Sequence, residues 1–449
     1  MSENTQQHTS KTVQPELKRL SDSLLELDDM LVSCMRCGFC MAVCPVFGAT
    51  MQEADVTRGK IALLENLAKH MITDPEAVNE KLNRCLLCGS CQTACPSGVK
   101  IMDIFLRARA IVAEYMGLSP VKKIIFRSLL VKPKLFNTLL DISSKFQGIF
   151  LKSASESVGT SRAPLLSPLI GNRHFPSLAK ESFHSKTPSL NTAPGRSGLK
   201  VAVFPGCVSD KLFPQVADAT VKVLQKHGVG IFMPENQCCC GVPALASGDR
   251  QSYDKLVRQN LELFGDASFD YLITPCGTCT STIKEFWPKL MDEYTPKEQA
   301  QIKKLHDKAI DLVAFLVDVL KVELPQTDAA GKRVTYHDSC HLKKSLGVTE
   351  QPRKILKSLP GYTYVEMPEA DRCCGSGGSF TLSHFDLSTQ IGQRKRNNVV
   401  SVKPEVVAAA CPACMMQLMD MLSRNNDNIQ VKHVVELYLE ALEAGRLHA

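Results

Sequence analysis

Cysteine spacing constrains this 449-residue chain more than any other feature of its sequence. All but one of its 19 cysteines fall into four spaced sets, and the first two sets repeat the run C-x2-C-x2-C-x3-C-P. Three cysteines at intervals of three residues, followed by Cys-Pro, are typical of a segment that wraps around an iron-sulfur cluster. The two runs consist of Cys34, Cys37, Cys40 and Cys44, and of Cys85, Cys88, Cys91 and Cys95.

The other two sets lie in the second half of the chain, and each contains five cysteines. A single cysteine opens each set, a Cys-Cys-Gly turn follows, and a C-x2-C pair closes it. Because corresponding cysteines of the two sets are 133 to 135 residues apart, the sequence indicates an internal duplication. Cys238 belongs to no set, and we expect it to be a spare thiol. The sets consist of Cys207, Cys239, Cys240, Cys276 and Cys279, and of Cys340, Cys373, Cys374, Cys411 and Cys414.

Zinc and structural disulfides are the alternatives to iron at the first two sets. The N-terminal residues are polar and charged and contain no apolar signal segment, which favours the cytoplasm, where thiols stay reduced or bind metal. Zinc sites use well-separated C-x2-C pairs, so these runs favour two [4Fe-4S] clusters. In such runs the fourth cysteine ligates the other cluster. We therefore assign one cluster to Cys34, Cys37, Cys40 and Cys95, and the second to Cys85, Cys88, Cys91 and Cys44.

Apolar periodicity predicts an α+β multidomain fold: an N-terminal helical dicluster ferredoxin followed by two repeated α/β cysteine-rich domains. Leucines and isoleucines recur at helical spacing between the first two runs, which argues against a compact β-rich ferredoxin. In each later copy, short apolar strands alternate with helices, as in a largely parallel sheet. We expect a polar tail at 1–25, the ferredoxin domain at 26–116, a basic segment and linker at 117–198, and the cysteine-rich domains at 199–325 and 326–449.

Each five-cysteine set is expected to form one site. In an open α/β sheet, sites form beyond the carboxyl ends of the strands, and both the first cysteine and the C-x2-C pair follow strand ends. Five thiolates exceed what one ordinary cubane uses. An unusual cluster with extra ligands and a set with redox-active thiols therefore both remain open, and structural disulfides are the third alternative.

Positive charge is concentrated in the segment between the two N-terminal cysteine runs and the two five-cysteine sets. Residues 117–200 contain thirteen Lys or Arg against three acidic residues, in a chain whose net charge is +7. Residues 121–151 mix these cations with large apolar side chains, which predicts two basic amphipathic helices separated at Pro133. They are expected either to touch an anionic membrane or a partner, or to pack on their own domain. Residues 153–197 read as an irregular linker. No nucleic-acid-binding motif accompanies the charge, and no apolar run reaches the roughly eighteen residues of a spanning helix.

The later cysteine pattern resembles the cysteine-rich domain of heterodisulfide reductases. The same domain occurs in the iron-sulfur subunits of glycolate oxidase, of D-lactate dehydrogenases and of anaerobic glycerol-3-phosphate dehydrogenase, where a dicluster ferredoxin precedes two copies, as it does here. The resemblance implies one or two further [4Fe-4S] clusters, of the noncubane type, bound by the five-cysteine sets. Both copies keep all five positions, whereas dehydrogenase members often lack some.

Several motifs of catalytic proteins are missing from the sequence. We find no GxGxxG turn between strand and helix, no P-loop lysine and no recognisable catalytic triad spacing, so no catalytic residue is assigned. A hydride acceptor for a hydroxy acid would then sit on another polypeptide.

The resemblance therefore implies an electron-transfer subunit of a D-lactate or glycolate dehydrogenase. It would pass electrons from an FAD-containing partner subunit toward a membrane subunit or quinone, in the cytoplasm or on the cytoplasmic face of the inner membrane. The alternatives are a subunit of anaerobic glycerol-3-phosphate dehydrogenase and a disulfide reductase of the heterodisulfide reductase type.

Overall fold

The computed structural model describes residues 15–153, 158–161, 173–325 and 331–449. Its N-terminal unit is built from helices, which confirms the helical ferredoxin that the sequence predicts. The cysteine runs form loops next to short helices, while the longer helices pack around a core that includes Leu64, Ile104 and Phe105. The α-helices of this unit span Pro15–Leu25, Asp28–Leu31, Phe39–Val43, Pro45–Thr50, Thr57–Ala68, Pro75–Asn83, Ser90–Thr93 and Ile101–Met116.

A helix occupies the end of the segment that we expected to be a polar tail. Leu20 and Leu24 lie on one side of helix Pro15–Leu25, which packs against helix Thr57–Ala68, and both leucines are buried. The expectation is therefore wrong for the residues of this helix. Its few leucines among charged residues form only a narrow apolar stripe, so composition alone does not reveal it. The preceding residues, 1–14, lie outside the described part of the chain.

The basic segment is helical and breaks where proline predicts. A short α-helix and a π-helical stretch precede Pro133, which begins the next helix because its fixed φ suits a first turn. The expectation of an irregular linker at 153–197 is wrong in part, because two of the three strands of a short antiparallel sheet lie there, and the remaining strand ends at Ser153. These elements are Pro120–Lys123, Ile124–Leu130, Pro133–Phe150, β1 (Leu151–Ser153), β2 (Val158–Ser161) and β3 (His174–Pro176).

The first cysteine-rich unit contains a five-stranded sheet. Its strands are β4 (Leu190–Asn191), β5 (Lys200–Val203), β6 (Gly230–Met233), β7 (Tyr271–Thr274) and β8 (Ala309–Asp311). The spatial order is β4-β6-β5-β7-β8, and every pair is parallel except β4 with β6. Helices of this unit span Phe183–Lys186, Cys207–Lys211, Pro214–Lys226, Val242–Ala246, Arg250–Phe264, Gly277–Ser281, Thr282–Phe286, Trp287–Lys289, Pro296–Lys308, Leu312–Ala314 and Phe315–Val319.

The second cysteine-rich unit repeats this topology. Its strands are β9 (Lys332–His337), β10 (Tyr362–Tyr364), β11 (Val406–Ala409) and β12 (Gln430–His433), in the parallel order β10-β9-β11-β12. Apart from the extra β4, the strands occupy the same relative places as in the first sheet, which confirms two repeated α/β domains. Helices here span His341–Ser345, Glu350–Lys357, Ser379–Ser383, Phe385–Ser401, Pro412–Arg424 and Val434–Glu443.

Two buried histidines join the cysteine-rich units. Nε2 of His227 lies 3.0 Å from the hydroxyl of Tyr438, and Nε2 of His433 lies 3.0 Å from the carbonyl oxygen of Pro275. Burial lowers the pKa of each histidine to about 4, so both are neutral near pH 7. Since Pro275 precedes a cysteine of the first set, the second contact fixes the units together at the cysteine sites.

Candidate iron-sulfur centres

Two small cavities divide the eight ferredoxin cysteines into groups of four. The division places the last cysteine of each run with the first three cysteines of the other run, as the crossed assignment requires. Cys91 also borders the first cavity. Ligation itself remains a prediction. The first cavity is lined by Cys34, Cys37, Cys40 and Cys95, and the second by Cys44, Cys85, Cys88 and Cys91.

The backbone of each cysteine loop curves around its cavity. Gly38 and Gly89 hold φ of 89° and 73°, values that favour glycine, and each follows the second cysteine of its run. Leu87 N–H points at the sulfur of Cys85 over 3.4 Å, and Phe47 N–H points at the sulfur of Cys44 over the same distance. Hydrogen bonds to cluster sulfurs are one means by which proteins set reduction potential.

Buried cations accompany the second cavity. Lys60 lines it, and the guanidinium of Arg109 donates to the carbonyl oxygen of Cys85 over 2.8 Å and to that of Ala246 over 2.7 Å. Burial raises the pKa of Cys44 to about 12, so its thiolate requires a positive partner. Iron would supply that charge, and the donor set therefore fits a [4Fe-4S] group. Sequence reasoning missed Arg109, whose role depends entirely on what packs around it.

The five cysteines of each set lie close together. In the first set, Sγ of Cys207 and Sγ of Cys239 are 3.7 Å apart. From Cys239 the thiols of the first set are in contact in the order Cys240, Cys279 and Cys276. Those of the second set are in contact in the order Cys340, Cys373, Cys374, Cys414 and Cys411.

Glycine is required directly after each cysteine pair. At Gly241, with φ of 95°, a Cβ would lie 2.8 Å from the ring of Tyr253. At Gly375, with φ of 93°, it would lie 2.7 Å from the carbonyl oxygen of Ser388. Both glycine amides point at the first sulfur of the preceding pair over 3.5 Å. The two copies thus build the same turn, as expected of sites that accept a bulky inorganic group.

The four cysteine groups adjoin one another, which the sequence does not reveal. Sγ of Cys276, in the first set, lies 3.8 Å from Sγ of Cys411, in the second. The thiol of Cys88, in the ferredoxin, is in hydrogen-bonding contact with Cys340 and Cys373 of the second set, which lower its pKa. An unbroken line of thiols therefore leads from the second ferredoxin cavity through the second set to the first.

A cavity of about 180 Å³ lies between these groups. Its wall combines cysteines of both sets with apolar residues such as Phe380 and with the cationic or titratable side chains Arg109, Lys122 and His384. His337 lies with Cys374 and Cys414, and the ligand atoms of these three residues are all within 4.8 Å of one another.

Cys238 differs from its neighbours in the first set. Its side chain is buried and its sulfur lies 3.5 Å from the carbonyl oxygen of Leu256, in helix Arg250–Phe264. Burial raises its pKa. The role of a spare thiol remains a prediction.

Comparison with known proteins matches the same architecture. The profile described as "Cysteine-rich domain" matches residues 201–284 and 334–419, and the "4Fe-4S dicluster domain" profile matches residues 30–99. The probable glycolate oxidase iron-sulfur subunit of Bacillus subtilis is 31% identical, over 96% of this chain and 98% of its own length. Lactate utilization protein A of Geobacillus kaustophilus is 34% identical, over 53% of this chain and 98% of its own length.

A more distant relative also aligns over most of this chain. An uncharacterized iron-sulfur protein of Methanococcus maripaludis is 27% identical over 91% of this chain and 71% of its own length. The Bacillus subtilis protein aligns over nearly the full length of both chains, and both profiles match the expected segments. The chain therefore belongs to the family of iron-sulfur proteins that includes the glycolate oxidase iron-sulfur subunit and lactate utilization protein A.

Proposed function

We propose that this chain is the electron-transfer subunit of a flavin-dependent 2-hydroxyacid dehydrogenase that oxidises D-lactate or glycolate. A partner subunit with FAD would remove two electrons and two protons from the hydroxy acid to give the 2-oxo acid. This chain would take up the electrons singly and pass them toward the quinone pool. The observation that carries the proposal is the unbroken line of cysteines from the ferredoxin to both cysteine-rich sets.

In this proposal the protein holds its redox sites in a fixed order. The crossed groups of four cysteines would hold two [4Fe-4S] clusters, and the five-cysteine sets would hold one or two more of the noncubane type. These groups supply one-electron transfer when bound. Lys60, Arg109 and Lys344 would balance their negative charge. Burial by itself lowers the pKa of Lys344, but the neighbouring sulfurs of Cys340 and Cys88 outweigh it, so the pKa is raised and Lys344 stays charged.

Delivery to quinone would require contact with a membrane surface. Among the described helices, none has the length and apolar composition needed to cross a bilayer. The apolar side chains Leu135, Leu139, Ile142 and Phe146 are each 41–54% exposed. They follow helical spacing along helix Pro133–Phe150, and Lys134 and Lys145 lie among them. An amphipathic helix of this kind binds anionic lipid in the plane of the interface. We therefore include peripheral membrane contact through residues 121–151 in the proposal.

A disulfide reductase is the second candidate, and the central cavity favours it. All five cysteines of the first set and four of the second, without Cys411, line this cavity of about 180 Å³, beside apolar side chains. A disulfide bound there would accept two electrons and two protons to give two thiols. The electrons would again arrive through the ferredoxin, one at a time.

Anaerobic purification of the tagged chain from its native host would test these functions. The visible iron-sulfur absorbance is followed while D-lactate, glycolate and glycerol 3-phosphate are added in turn. We expect D-lactate or glycolate to bleach the band, and flavin to be present in the eluate. Bleaching by glycerol 3-phosphate alone would assign the chain to that dehydrogenase instead. If no substrate bleaches the band, but a disulfide reoxidises dithionite-reduced protein, the reductase function is correct and the dehydrogenase proposal fails.

A further inference from the structure

The two cysteine loops of the ferredoxin are copies of each other, offset by 51 residues from Cys34 to Cys85. The backbone preserves the copy. Arg36 and its counterpart Leu87 have φ of 54° and 51°, and the glycine after the second cysteine is left-handed in both loops. Because the two loops have the same backbone, corresponding residues lie on the same side of the predicted cluster site in each loop. Their surroundings can therefore be compared position by position.

The second loop is covered by a redox partner within the same chain. Leu86 is 6% exposed and packs in an apolar cluster with Cys340, Cys373 and Phe380. The carbonyl oxygen of Leu87 lies 3.0 Å from Nε2 of His341. This face therefore serves as an internal docking surface, where the ferredoxin meets the second cysteine-rich set.

The first loop presents the corresponding face to solvent. Met35, the counterpart of Leu86, is 77% exposed, and Phe39 is 63% exposed. Both side chains border the same cavity as Cys37. Cys37 is the one exposed cysteine of the chain, all of whose cysteines lie in the described residues. Large apolar side chains at such exposure commonly mark an interaction site.

We propose that Met35 and Phe39, around Cys37, form the docking surface for the electron-donating flavoprotein. This inference rests on the proposed function, because it names where that partner binds. Val32, which is 59% exposed and lies two residues before Cys34, extends the surface. Electrons would then enter at the first ferredoxin site and leave through the second loop into the cysteine-rich units.

Two features favour a redox partner over a lipid surface or a second copy of the chain. The apolar side chains surround the point at which a predicted cluster site comes closest to solvent, and the equivalent loop is already occupied by a redox partner. This surface also differs in charge from the basic helices at 121–151. Arg36 is the charged residue within the loop, and its guanidinium is paired with Glu65, so it provides no free cation for anionic lipid.

The test introduces charge at this surface in the full chain, purified anaerobically from its host. The variant Met35→Glu/Phe39→Glu is compared with Met71→Glu/Leu382→Glu, which changes two side chains of similar exposure, 75% and 57%, at other places. We expect the amount of flavin and flavoprotein that co-purifies per chain to be at least tenfold lower for the first variant than for the control. Its iron content and its reduction by dithionite should match those of the control, since the substituted side chains are exposed.

Each other outcome overturns a defined part of the argument. If the first variant retains flavoprotein at the wild-type ratio, the docking surface is wrong and the proposed function stands. If the wild-type chain itself brings down no flavoprotein, both fail. If the variant instead changes the oligomeric mass of the chain in light scattering, with the flavoprotein retained, the surface joins two copies and the inference is wrong.

Discussion

The neighbouring residues Cys238 and Cys239 differ in what surrounds their sulfur atoms. Cys239 contacts Cys207 within the first set, whereas the sulfur of Cys238 faces the carbonyl oxygen of Leu256. We therefore expect Cys239→Ser to remove the iron of the first set and Cys238→Ser to leave it in place. Iron and acid-labile sulfide per chain, measured after anaerobic purification, distinguish the two variants.

These variants control for each other, because they change adjacent buried residues by the same substitution. Equal loss of iron in both would mean that Cys238 is a ligand or that any change here unfolds the turn. Melting temperature separates those explanations. A Cys238→Ser protein that melts like the wild type but lacks iron would contradict the assignment of Cys238 as a spare thiol.

At the scale of elements, the contact between the cysteine-rich units should depend on pH. Helix Pro214–Lys226 packs on helix Val434–Glu443, and His227, directly after the first helix, contacts Tyr438 in the second. Burial, assisted by Arg196, lowers the pKa of His227 to about 4, below the ordinary value of 6.5. As pH falls, the unfolded chain takes up this proton first. The contribution of neutral His227 to the free energy of unfolding is therefore fully present above about pH 6.5. It is lost as pH falls toward 4, by about 3 kcal/mol at most.

The variant His227→Gln keeps a hydrogen-bonding side chain but cannot titrate in this range. We expect its melting temperature to fall less than that of the wild type between pH 6.5 and pH 4. Part of the slope will remain, because burial also lowers the pKa of His433 to about 4. His448→Gln, at an exposed position, is the control for the loss of any histidine. If melting temperature depends on pH in His227→Gln as it does in the wild type, protonation of His227 is not the cause of the loss of stability in acid.

Helix Pro133–Phe150 gives a second prediction at this scale. Its exposed stripe includes Leu139 and Ile142, which are 41% and 48% exposed, with Lys134 and Lys145 nearby. We expect the purified chain to co-sediment with vesicles that contain anionic lipid, and less with neutral vesicles or at high salt. Leu139→Glu/Ile142→Glu should reduce co-sedimentation several-fold, without loss of iron. Equal binding by the variant would mean that the helix faces a protein partner instead.

The sequence predicts local features of these elements well and their mutual packing poorly. The break at Pro133, the strand before each first cysteine and the glycine turns at Gly241 and Gly375 follow from local chemistry, and the structure has them all. Strands β4, β8 and β12 were not expected, because each is short and joins a sheet edge, where pairing depends on residues distant in the chain. The helix Pro15–Leu25 was missed for a similar reason, since tertiary packing stabilises its narrow apolar stripe.

At the scale of the whole molecule, the spacing of cysteines predicts four sites but not their order in space. Contacts such as Cys276 with Cys411 and Cys88 with Cys340 arise from packing between units. No local pattern encodes which faces of two domains meet. The spatial order, from the ferredoxin through the second set to the first, reverses the order of the two sets along the chain. This order is the main functional information that the fold adds to the sequence.

The spatial order predicts what each cysteine-rich set depends on. Because the second set lies between the ferredoxin and the first set, the variant Cys373→Ser/Cys374→Ser should isolate the first set from electrons of the substrate. The matched variant Cys239→Ser/Cys240→Ser should leave the second set reducible. The measurement is electron paramagnetic resonance of each variant, after reduction by the hydroxy acid that bleaches the wild type, and separately after reduction by dithionite.

In both variants we expect dithionite to reduce the remaining set, because a small reductant does not need the internal route. With substrate, only the variant that keeps the second set should show the signal of a reduced cysteine-rich site. A first set that is reduced equally fast without the second would mean that electrons reach it from another part of the surface. The line of thiols would then be a packing feature, and the route from Cys88 to Cys207 would have to be abandoned, although the ferredoxin would keep its role as the first acceptor.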